Sequence, residues 1–338
     1  MNILATSNID SDGETLKLSR LEEMRNAING SRTIRMGVEH NPFFPPIGQF
    51  YNARIEKRED GIIQLVADNF TFADEIIEIE GETFIKSSHE RSKPFIEVNF
   101  QTPDENNLFF DHLFFKNRDE REIFEGELKK IDSEVVIGNS IRKSALNDPL
   151  IVLEFGALLF VYDFLKLLGN KLSDKIADDI SEIAFKRYLI LKKLLISSVD
   201  KFGKQDEFVT IVLQAPSDSV EIELVHRLKE EQLDSYIKSL DPLNLKKVCE
   251  EAIRYRNLFD GEKVQFVIND KGEWGLNYLL TSSGEIIGKR KYFDLRNAIY
   301  NKMVENKFMG LSYGVKAKLT KKDLKKPDDN NNVQNHID

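Results

Sequence analysis

The sequence predicts an α+β fold with an N-terminal β-rich, barrel-like module, central helices and a C-terminal α+β module that contains an antiparallel meander. Three observations carry this prediction. Short alternating runs separated by Gly-containing turns crowd the first hundred residues. An apolar run and a stretch with helical spacing fill 149–200. Strand-like and helix-like runs then alternate after 207. A chain of 338 residues is long enough for more than one core.

The N-terminal module covers 1–105. A helix is predicted over 16–29. Residues 32–40 read as a strand that runs into the Pro-rich NPFFPPIG at 41–48. Runs at 49–58 and 62–68 flank Glu59-Asp60-Gly61, and runs at 75–79 and 83–87 flank Glu80-Gly81-Glu82, two hairpin signals. Residues 94–101 alternate once more, and the five short strands from 49 to 101 at this spacing suggest a small barrel or a bent sheet. The connector, 106–147, holds LFFDHLFF at 108–115, which fits strand or helix, and a charge-rich face at 117–130.

A helical segment is expected over 148–204. Asp148-Pro149 supplies a cap and a first-turn proline, and Gly169-Asn170 a stop. Leu172, Ile176, Ile180, Ala184, Leu191 and Leu195 then recur near helical spacing. The second α+β module covers 205–320. It has strands at 208–214 and 220–226, a helix over 229–257 broken at Asp241-Pro242, and a meander over 264–268, 273–280 and 285–293. A helix at 294–306 and a strand at 311–319 follow. The Asn-, Asp- and Lys-rich tail, 321–338, is expected to be disordered.

Composition narrows the partners. Hydrophobic residues make up 41%, charged residues 31%, and the net charge is −9, which argues against a duplex nucleic acid partner. A single cysteine, Cys249, excludes an intrachain disulfide and a multi-thiolate metal site. The opening residues lack a signal-peptide pattern, so a cytoplasmic protein is expected. The apolar run 149–169 has the length of a membrane span, about 20 residues. Glu154, Asp163 and Lys166 inside it favour a buried helix, or one packed on a second copy, so no membrane span is expected. A protein partner or self-association into an oligomer is.

Few residues carry a chemical signal. No histidine pair has the spacing of a helical ligand set, Asp174, Asp178 and Asp179 read as a solvated face, and no phosphate-binding glycine motif occurs. No metal or cofactor is therefore expected. Trp274 and Tyr278 alternate and are expected on one face of a strand, as core or as a ligand platform.

One constellation stands out. Asp10-Ser11-Asp12-Gly13-Glu14 precedes Val38-Glu39-His40-Asn41, then Pro46-Ile47-Gly48, then the hairpin at 53–67. In order and spacing this resembles the phage head-maturation (prohead) proteases, which share a barrel with the herpesvirus assemblins. The resemblance covers roughly the first seventy residues. It implies a serine peptidase with His40 as base, oriented by Glu97 on the strand Phe95–Phe100. The family's nucleophile sits in a Gly/Leu-Ser-x-Gly setting soon after the histidine. Here Ser87, Ser88 and Ser92 lack the glycine, while Ser312 lies in Gly310-Leu311-Ser312-Tyr313-Gly314, far downstream. The candidate catalytic set is His40, Glu97, Ser312 and Ser88. Two functions remain open: a serine-protease-like protein acting on a protein or on itself, or a non-catalytic interaction and assembly protein using the barrel as scaffold. The resemblance places either one in phage biology or antiphage defence.

Overall fold

The structure, a computed structural model, describes residues 2–8, 16–38, 41–95, 107–110, 115–139, 149–154, 174–203, 208–215, 220–269 and 272–305. It is α+β, with a small curled antiparallel sheet and a large mixed sheet.

The small sheet comprises β1 (Asn2–Thr6), β2 (Arg35–Met36), β3 (Gly48–Lys57) and β4 (Ile63–Thr71), in the order β1-β4-β3-β2. Turn chemistry makes the β3–β4 hairpin. Gly61 takes φ 85°, and the Asp60 carboxylate accepts from the Ile62 amide at 3.2 Å. Helix α1 (Leu18–Asn29) lays Leu21 and Ile28 against Met36, Phe50, Leu65 and Ala67.

The large sheet comprises ten strands among the described residues: β5 (Ala73–Ile79), β6 (Glu82–Ser88), β7 (Asn107–Phe110), β8 (Val136–Asn139), β9 (Leu150–Glu154), β10 (Val209–Ala215), β11 (Glu221–Leu228), β12 (Gly261–Ile268), β13 (Trp274–Thr281) and β14 (Ile286–Gly288). Their spatial order is β5-β6-β14-β13-β12-β11-β10-β9-β7-β8. Four helices, α2 (Arg118–Ile131), α3 (Asp174–Phe202), α4 (Leu233–Ser239) and α5 (Pro242–Phe259), cover one face. There Leu128, Leu194, Tyr236 and Ala252 pack with Ile211, Leu224, Val264 and Phe266 in the main core. On the other face Leu150, Val152, Val212, Val225 and Val267 meet Phe43 and Tyr292. Tyr292 belongs to α6 (Arg290–Glu305), which packs Ile299 into the core of the small sheet. Among the described residues no helix is long and apolar enough to cross a membrane.

Local signals explain the helix ends. Asp241 accepts from the Leu243 and Asn244 amides at 2.8 and 3.1 Å, and Pro242 begins α5, so the break read at Asp241-Pro242 is an N-cap. The charge-rich stretch 117–130 is an amphipathic helix, capped by Asn117 and burying Phe124 and Leu128.

Four readings differ from the structure. Leu150–Glu154 forms the strand β9, between β7 and β10, where a helix was expected to begin. All five residues are buried, and a strand covered on both faces reads as a continuous apolar run, which periodicity cannot separate from a buried helix. Residues 155–173 lie outside the described residues. Second, β5 and β6 belong to the large sheet: Ile85 of β6 stands opposite Gly288 of β14. Third, residues 290–293 open α6 rather than closing a strand. Fourth, Trp274 and Tyr278 face opposite sides. A bulge in β13 sets Trp274 against Ile268 on the helix side and Tyr278 against Gln265 on the other. One inserted residue reverses the faces of everything beyond it. The strand expected over 311–319 and the tail 321–338 lie outside the described residues.

One ion pair ties α6 to the sheet edge. Arg296, 1% exposed, donates to both Asp74 oxygens at 2.7 and 2.9 Å and to the Pro46 carbonyl at 2.8 Å. Asp74 is 24% exposed and also accepts from Asn297, so water and this amide soften the loss of the arginine. Arg296→Met is expected to lower the unfolding free energy by about 2 kcal/mol. Urea titration checks this; an unchanged midpoint would show that the pair contributes nothing.

Candidate functional site

The most concentrated polar chemistry among the described residues lies on the face of the large sheet turned toward the small one. Direct cross-strand neighbours line up there: Asn107 with Glu154, Glu154 with Gln214, Gln214 with Glu223, Glu223 with Gln265, and Gln265 with Tyr278. Glu221 and Lys263 form a further pair beside this row. The period of two in a strand brings them together, since positions 221 and 223, and 263 and 265, share a face.

Lys263 sits at the centre. Its ammonium donates to Glu221 Oε1 at 2.7 Å and also to Glu223 Oε2. The side chains of Lys263, Glu221 and Glu223 are only 3%, 9% and 6% exposed. Gln214 donates to Glu223 at 2.7 Å, and Gln265 donates to Glu223 and to the Pro42 carbonyl at 2.9 Å. Asn277, in the bulged strand, donates to Gln265 at 2.6 Å and to the Phe43 carbonyl at 2.7 Å. Arg35 reaches in from β2, hydrogen-bonds Tyr278 and faces Glu223 and Glu221. The cluster thus joins the two sheets. Arg32 adds a second link at 2.7 and 2.8 Å to Glu262.

The charges balance: Arg35 and Lys263 against Glu221 and Glu223. Burial alone would raise the Glu223 carboxyl, but Lys263 and Arg35 outweigh it and hold it at about 2. Burial would lower Arg35, and Tyr278, Glu223 and Glu221 outweigh that in turn. Burial pushes Glu154 up, against the Asn107 hydrogen bond at 3.0 Å. A general base works best with a pKa near the operating pH, so a carboxylate held at about 2 and bonded to an ammonium is a poor one. The arrangement is suited to holding surfaces in register. Among the described residues no group of three or more His, Cys, Asp or Glu is arranged to hold a metal ion.

Of the residues singled out by the sequence, His40, Glu97 and Ser312 lie outside the described residues. Ser88 closes β6, half-buried and opposite Ala73. Ser87 is fully buried; its hydroxyl donates to Asp74 and lies 3.4 Å from Arg296. Neither neighbour suits a base, since Asp74 is held by Arg296 and a guanidinium accepts no proton. His89 stacks on Phe70 at 4.1 Å and accepts from the Arg91 amide at 3.1 Å. His226 stacks on Tyr236 at 5.1 Å, on the helix-covered face.

No protein-family model, curated protein or solved structure matches the chain.

Sequence reasoning placed 220–226 and 264–268 on strands and passed over what they carry. The signal was available: VEIELVH and EKVQFVI set polar residues two apart inside apolar runs. On a strand buried on both faces, that spacing marks a polar row needing partners.

Proposed function

We propose that the chain is an interaction and assembly protein, its two sheets locked by the buried charged cluster into a scaffold that presents an open sheet edge. The observation that carries this reading is β5. It ends the ten-stranded sheet, and no described strand pairs with its outer side. Ala73, Glu75 and Ile76 are all exposed, Ile76 at 61%. An exposed strand edge offers unpaired amides and carbonyls to an incoming extended segment. The pairing of Lys263 with Glu221 and Glu223 supports a structural role for that cluster.

The peptidase reading keeps His40, Glu97, Ser88 and Ser312 as its residues and rests on the sequence resemblance. A fluorophosphonate probe separates the two, because it labels only an activated serine. The expected result is no labelling, no self-cleavage on prolonged incubation, and fast exchange of the alternate amides of 73–79 that point away from β6. Labelling that disappears in His40→Ala and in either Ser88→Ala or Ser312→Ala would overturn the assembly reading.

A further inference from the structure

Resting on that reading, we propose that the outer edge of β5 receives a cationic extended segment of another protein, with Lys or Arg at alternating positions. Residues 74, 76 and 78 share one face of β5, and 75, 77 and 79 the other. Asp74 and Glu78 flank Ile76 on the first face, and Glu75 lies on the second. The Glu75 side chain is 59% exposed and only 3.7 Å from Lys86, and Glu80, in the adjoining turn, is 55% exposed. Ile77 and Ile79 pack against the helix-side core and hold the strand in place. With Asp74 held by Arg296 and Glu80 by Arg254, an incoming strand would find Glu78 and Ile76 on one face and Glu75 on the other. Opposite charges paired across strands are favourable, and like charges are not.

The same residues disfavour a second copy of this chain. Pairings that keep the sheet faces continuous centre on Glu75, Ile76 or Ile77. They set Glu75 against itself, Asp74 against Glu78, or Asp74 against Glu80. Each opposes acid to acid, the usual way in which charged edges block self-association. A net charge of −9 adds long-range attraction for a cationic guest.

The test uses the full chain and short capped peptides alternating valine with lysine, or valine with glutamate. The valine–lysine peptide is expected to bind more weakly with added salt. It should slow amide exchange across 73–79. An alternating peptide puts all its lysines on one face, so one of Glu75→Lys and Glu78→Lys, both surface changes checked for folding by circular dichroism, should weaken binding about threefold and the other should change it little. Equal binding of the valine–glutamate peptide would overturn the cationic preference and leave edge docking standing. Peptide binding that leaves exchange at 73–79 unchanged, or no binding while those amides exchange quickly, would overturn the proposal alone. Slow exchange of the outward-pointing amides of 73–79 in the free chain would mean that the edge is already covered, and would remove the assembly reading as well.

Discussion

Lys263→Met is expected to cost about 3–5 kcal/mol of stability at neutral pH, the range for breaking one side of a buried ion pair. Methionine fills a similar volume, so packing changes little and the effect is electrostatic. Glu221 and Glu223, 9% and 6% exposed, would lose the ammonium that both contact and keep Arg35 as their shared cation. Two carboxylates sharing one cation leave a charge unmatched, which is costly in a medium that water reaches poorly. The loss should shrink in acid. In the native protein Glu223 is depressed from 4.5 to about 2, so its contribution is present above about pH 4.5 and lost as pH falls toward 2. In the variant the Glu223 carboxyl loses the ammonium that depresses it and takes up a proton more readily, so the two proteins converge as pH falls toward 2. Replacing Lys263, Glu221 and Glu223 together by apolar residues should recover much of the stability, because a buried ionic group exchanged whole for hydrophobic ones is often neutral. Urea midpoints across pH check both statements. A single variant as stable as the parent would mean that the cluster is bathed in water.

His226 should give the chain a second pH dependence, in a different window. Burial pushes its imidazole down from 6.5 to about 4, and the ring stacks on Tyr236. Between those values the unfolded chain binds more protons than the folded one, so stability is fully present above about pH 6.5 and falls as pH drops toward 4. The loss amounts to at most about 3 kcal/mol. His226→Phe keeps a ring against Tyr236 and removes the titration, so the difference between variant and parent isolates this group from the carboxyls. Parallel stability curves from pH 7 to about 4.5 would show that His226 reaches water in the folded state.

Much of the fold was legible. The hairpin at Glu80-Gly81 forms as read, with φ of 53° and 78° in the turn, because turn residues act within a few positions of themselves. Helix α3 follows the helical spacing read up to residue 200, and α5 starts at the Asp241-Pro242 break. Leu150–Glu154 was illegible for a physical reason: four apolar residues in a row, followed by a buried glutamate, fit a buried strand and a buried helix equally. The charged cluster was half legible. Alternation put Glu221 with Glu223 and Lys263 with Gln265, but nothing in either strand says which neighbour it will have.

The amino-acid sequence by itself determined the α+β class, the turns at Gly61 and Gly81, the Asp241 cap and the polar alternation in β11 and β12. Each depends on backbone preferences or spacings contained in a few consecutive residues. Only the tertiary structure decided that β5 and β6 leave the N-terminal sheet for β14, that the bulge in β13 turns Tyr278 toward Gln265, and that Arg35 reaches Glu221 and Glu223. Those outcomes depend on which strand edges and which buried charges find partners far away in the chain, and a buried hydrogen-bonding group or charge is stable only once such a partner is in place.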